Sequence, residues 1–141
     1  MKTRCNGFIA LAFSILSTMI FAEEDTRDPL EVFVGHSEYL FKLCGIRAQL
    51  DFVSNTSTLK TCQKEAKQET KASVKVIVAG FNGKLPSVNL VKNYYSTWLV
   101  GMDELSLLPS ESMVSYQVRQ QAKSNAIHEN GVWMLVELQL K

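Results

Sequence analysis

The stretch Cys44-Gly-Ile-Arg-Ala-Gln-Leu-Asp-Phe-Val-Ser-Asn-Thr-Ser-Thr-Leu-Lys-Thr-Cys62 decides the fold. It reads as two helices meeting at a polar turn. The four residues Ser54-Asn55-Thr56-Ser57 have side chains that compete for backbone hydrogen bonds and so favour turns over helix interiors. A cysteine lies on either side, so the segment is expected to be a disulfide-stapled helical hairpin. Bridged Cα atoms lie about 5–6 Å apart. If the first helix ran to Ser54, Cys44 would lie ten residues from the turn and Cys62 five from Ser57, a mismatch of about 7 Å at 1.5 Å per residue. The first helix is therefore expected to end near Leu50 or Asp51.

The N-terminus indicates the redox compartment. Met1-Lys2-Thr3-Arg4 is basic, Phe8 to Ala22 is mostly apolar, and Glu23-Glu24-Asp25 follows. These are the parts of a secretory signal peptide, with cleavage expected after Ala22. The run falls short of the roughly 20 apolar residues that span a bilayer, so no stable membrane anchor is expected after processing. Removing residues 1–22 also removes Cys5 from a total of 3 cysteines, and the even pair left in an exported chain is expected to be oxidised.

Charge excludes one class of partner. The 15 basic residues less Lys2 and Arg4 leave 13 against 14 acidic ones, a net −1 for residues 23–141. A general nucleic-acid binder needs a marked basic excess to neutralise phosphates, so none is expected here. A chain of this length makes one domain with one core.

Outward from the hairpin, each segment carries helical periodicity. Asp28 and Pro29 start the first helix, with Glu31 three residues after the cap. Glu31, Glu38, Lys42 and Gln49 mark its polar side; Leu30, Phe33, Leu40, Phe41, Leu43, Cys44 and Leu50 mark the other. In the second helix Lys60, Lys64, Lys67, Lys71 and Lys75 recur at spacings of four, three, four and four and so share one face. Val74-Lys75-Val76-Ile77-Val78 has a strand's β-branched composition, yet Lys75 continues the helical register.

Asn82-Gly83 signals a turn, and Pro86-Ser87 opens a third helix with the apolar stripe Val88, Val91, Tyr95, Trp98, Met102 and Leu105. Pro109 interrupts the chain, and Ser110-Glu111 reads as a new cap. Beyond it, Val114, Val118, Ala122, Ala126, Trp133, Val136 and Leu140 fit one helical stripe. Residues 132–140 also alternate as a strand would. The expected architecture is an all-α four-helix antiparallel bundle, with helices near residues 29–51, 57–81, 87–107 and 110–139. The alternative is an α+β fold whose C-terminal strand, 132–140, pairs with residues 73–79.

No residue set performs recognisable chemistry. His36 and His128 lack neighbours spaced for a metal or a triad. Gly80-Phe-Asn-Gly83-Lys84 is too short for a phosphate loop and has Leu85 where a hydroxyl is needed. A separation of 18 residues is not a redox CxxC. No cofactor or metal is expected, and an enzyme is the least supported class.

Three features could serve recognition. The lysines of helix two could dock onto an acidic protein or an anionic envelope surface. Arg47 and Asp51, four residues apart beside the disulfide, could form an ion pair. Tyr95, Trp98, Met102 and Trp133 could line an apolar pocket in the far end of the bundle. The resulting expectation is a periplasmic or secreted, non-enzymatic interaction module of inhibitor or immunity type, whose partner is another protein of the bacterial cell envelope. The alternative is a small bundle that binds an apolar ligand.

Overall fold

The computed structural model describes residues 28–140; the expected signal peptide, its expected cut after Ala22 and Cys5 lie outside them. Four helices follow in order: α1 Pro29–Ser54, α2 Thr58–Gly80, α3 Leu85–Asp103 and α4 Met113–Gln139. They form a ring in which each packs on its sequence neighbour and α4 closes onto α1. This is the antiparallel bundle that short turns dictate. Among the described residues there is no strand: Val74–Val78 lies within α2 and residues 132–139 within α4. No helix of the described residues is long and apolar enough to cross a membrane.

The Cys44–Cys62 disulfide joins α1 to α2 with its Cα atoms 5.6 Å apart. The first helix does not stop at Leu50 or Asp51 to allow this. It runs to Ser54 and ends on Asn55 in the left-handed conformation, φ 51°. The resolution lies in where α2 starts. The Asp51 carboxylate accepts the backbone N–H of Thr58 at 2.9 Å and of Leu59 at 2.7 Å, and the hydroxyls of Thr56 and Thr58 at 2.6 and 2.8 Å. The second helix therefore begins level with Asp51, and the last turn of α1 overhangs it. Counted from that level, Cys44 is roughly 10 Å back along α1 and Cys62 roughly 6 Å along α2. The remaining axial offset of about 4 Å fits within the 5.6 Å between the two Cα atoms.

Asp51 thus caps a helix it does not belong to. Ser57, the residue at the α2 cap position, makes no capping bond of its own. Partial burial would raise the Asp51 carboxyl, but the four hydrogen bonds outweigh it and hold the group well below the usual carboxylate range. The expected Arg47–Asp51 pair is replaced by this cap, and Arg47 is exposed.

The third helix is shorter at its C-terminal end than its periodicity predicted, stopping at Asp103. The fourth is capped by Ser112, whose hydroxyl accepts the Ser115 N–H at 3.1 Å, and not by Ser110. Arg119 holds the connection between them. Its guanidinium donates to both Glu111 carboxylate oxygens at 2.8 and 2.6 Å and to the carbonyls of Glu104 and Ser106 at 2.6 and 2.9 Å. The Arg119 hydrogen bonds, reinforced by the Leu108 N–H, bring the Glu111 carboxyl down to about 2.

The core centres on Trp98, Tyr94, Phe41 and Met102, with Tyr116, Ile127 and Met134 from α4. Its polar atoms are satisfied internally. Trp98 Nε1 donates to the Ser37 carbonyl at 2.7 Å, and the Ser37 hydroxyl is 2.5 Å from Tyr94 Oη and donates to Val34 O at 2.9 Å. Burial pushes the Tyr94 phenol well above its ordinary value. Here α4 overturns its sequence reading. The stripe Val114, Val118, Ala122, Ala126, Trp133, Val136 and Leu140 faces solvent, with Val114 at 71% and Trp133 at 50% exposure. The inward face is Tyr116, Ile127, Gly131 and Met134. At Gly131 the helices come so close that a Cβ would meet Val34 Cγ1 at 2.7 Å and Tyr94 Cε2 at 3.1 Å.

Candidate functional site: the basic side of the second and third helices

The inward face of α2 is small, with Ala66, Thr70 and Val74 buried, and this fixes where its lysines point. Lys60, Lys64, Lys71 and Lys75 are exposed. Lys67 is half-buried and paired with Asp103 at the end of α3. Next to it, Gln63 donates to the Met102 carbonyl at 2.6 Å, so this part of the lysine face is the seam between α2 and α3. The row predicted as one set of five is therefore divided: one lysine is structural and four are free. None of the four has an ion-pair partner among the described residues.

The third helix extends the basic side. From Thr70 to Met102 the chain contains no Asp or Glu, while Lys71, Lys75, Lys84 and Lys92 fall within it. Lys84 and Lys92 are both exposed. This acid-free span was legible in the sequence as a composition shift, but the helical spacing of α2 alone does not reach it. The carboxylates nearest in sequence are engaged elsewhere: Glu69 lies 2.7 Å from His36 Nε2, and Asp103 holds Lys67. The second histidine, His128, similarly meets Glu38, at 3.0 Å. Both histidines bridge neighbouring helices on the surface.

The expected apolar pocket is not assembled. Trp98 and Met102 are fully buried at 0% exposure, Tyr95 is half-buried against Trp98, and Trp133 stands half-exposed on α4. An apolar groove lies elsewhere, a space of about 550 Å3 between Pro29, Val32, Phe33 and His36 of α1 and Ala72, Val76 and Ile77 of α2. No family model, no curated protein and no solved structure matches the chain.

Proposed function

We propose that this protein is an exported interaction module of the bacterial periplasm, of inhibitor or immunity type, that binds an acidic envelope protein through the basic side of α2 and α3. The observation that carries this reading is the separation of charge. Lys60, Lys64, Lys71 and Lys75 on α2, Lys84 in the turn before α3 and Lys92 on α3 have no ion-pair partner among the described residues, and the chain from Thr70 to Met102 contains no acid. The isolated lysine stripe of one helix is ordinarily just its solvated face; six such cations across two helices and the turn between them make a field that attracts an acidic surface and speeds encounter. The staple supports the same reading. A disulfide between the helices holds the α2 row in one position, so binding does not have to order it.

The test is capture from envelope extract by the disulfide-intact mature protein, compared with a Lys64→Gln, Lys71→Gln, Lys75→Gln variant. A single stoichiometric partner is expected, released at about 1 M salt, where the screening length is about 3 Å, and lost with the variant. Binding that survives both treatments would remove the lysine side from the interface.

A further inference from the structure

The first helix carries apolar residues on two opposite sides, separated by flanks that hold Glu31, Glu38, Lys42 and Gln49 on one hand and Arg47 and Asp51 on the other. Yet in the isolated chain one side of it is bare. Val32, Tyr39, Leu43, Ile46, Leu50 and Val53 follow heptad-like spacing, and at 3.6 residues per turn they occupy an arc of about 80° opposite the buried face. Tyr39 is 58% exposed, Ile46 54% and Val53 78%. No charged residue of the helix falls in that arc; Lys42 and His36 stand at its two margins. The stripe leaves roughly 500 Å2 of apolar surface uncovered, near the top of the about 300–600 Å2 that a monomer exposes in one patch.

We propose that this stripe pairs with the same stripe of a second copy, α1 antiparallel to α1, to form a homodimer. Three observations select a second copy over another occupant. The stripe is uncharged, so it offers an unlike partner no electrostatic selection. It is also self-complementary when reversed. In a two-fold pairing whose residue numbers sum to 85, Val32 faces Val53, Tyr39 faces Ile46 and Leu50 enters the space left by Gly35, where no atom lies within 4 Å of a built Cβ. An isologous contact requires this reciprocity. Finally, with the stems of Lys42 and Arg47 covering the margins, each copy contributes about 600 Å2, the lower bound of a specific stable interface and consistent with a dimer of micromolar strength. The outer face of α4 meets the first two conditions less well, since Gln121, Asn125 and Glu129 interrupt it at mid-length.

The dimer leaves the basic side free and presents it twice. Its salt response is opposite to that of lysine-mediated binding, because the stripe is apolar and the two Lys42 side chains meet beside the axis. Failure of one idea is therefore distinguishable from failure of the other.

The experiment is sedimentation equilibrium of the oxidised mature protein over a range of concentrations and salt, with Ile46→Asp, Val118→Asp and the double variant Tyr39→Lys/Ile46→Asp. Expected are a wild-type dimer that salt does not weaken and at least tenfold weaker association for Ile46→Asp. The native circular-dichroism spectrum is retained, because Ile46 is exposed in the monomer. Association is regained in the double variant, where the ammonium introduced at position 39 of each copy would face the carboxylate introduced at position 46 of the other. Wild-type protein that stays monomeric at high micromolar concentration overturns the proposal. So does a dimer lost on Val118→Asp but not on Ile46→Asp, or a double variant no better associated than Ile46→Asp.

Discussion

Removing the staple should cost more than any surface substitution in the molecule. In the double variant Cys44→Ala/Cys62→Ala, the unfolded chain regains the freedom that closure of the loop between residues 44 and 62 had taken away. For a loop of this length the chain-entropy relation gives about 3 kcal/mol at 25 °C. Cys44 is fully buried, with 0% exposure, so truncating its sulfur adds a small packing loss in the same direction. A bundle of this size unfolds with an entropy of roughly 0.24 kcal/mol/K, so about 3 kcal/mol corresponds to a fall in Tm of about 13 °C. The variant should nevertheless fold, because α1 and α2 remain joined through Phe33, Leu40, Ala66 and Val74 in the shared core. Urea unfolding followed by circular dichroism measures the difference, and the oxidised protein treated with reductant gives an independent value. A loss under about 1 kcal/mol by both routes would refute the loop-entropy account and show that the hairpin is already constrained in the unfolded chain.

Other consequences concern the interior, the caps and the tryptophans. Trp98→Phe removes the donor to the Ser37 carbonyl and part of the central side chain, and should cost about 1–3 kcal/mol in the same unfolding assay. Trp133→Phe should cost under about 0.5 kcal/mol and abolish the acrylamide-quenchable share of the fluorescence, because Trp133 is half-exposed and Trp98 sealed. The Asp51 carboxyl is held low in the folded state, so its contribution is complete above its unfolded pKa, about 3.9, and fades as pH falls toward the folded value. The Tm gap between wild type and Asp51→Asn should therefore be widest above about pH 5 and narrow below about pH 4; a gap constant down to about pH 2 would show that the charge is immaterial. Gly131→Ala gains helix propensity but drives a methyl into Val34 and Tyr94, so it should be net destabilising by about 1–2 kcal/mol, read by thermal melts.

The number of helices, their order and the stapled hairpin could be read from the sequence, because they rest on local signals: the Asp28-Pro29 start, the Ser54–Ser57 and Asn82-Gly83 turns, and a cysteine on either side of the first of these turns. The helical state of residues 74–78 was also legible, since Lys75 keeps the register of the lysines before it. Which face of a helix turns inward was less so. On α4 the larger apolar stripe lies outside, and the inner face is built from Tyr116, Gly131 and Met134, chosen by close approach and by hydrogen bonds across the bundle rather than by hydropathy. On α3 the tyrosine sealed in the core is Tyr94, one position away from the stripe, because its hydroxyl reaches Ser37.

Asp51 shows the limit most plainly. Local spacing pairs it with Arg47 and ends α1 there, but the bare N–H groups of Thr58 and Leu59 compete for the same carboxylate and win it, because an uncapped helix start has no other acceptor. For the same reason the lysines could be placed on one face by number alone, whereas only packing could reveal that Lys67 is committed to Asp103 while the other four have no ion-pair partner among the described residues. Local interactions act over one or two turns and are written in the residue order. The choice between two acceptors, or between two apolar faces, depends on what another helix brings alongside, and that is decided only when the bundle closes.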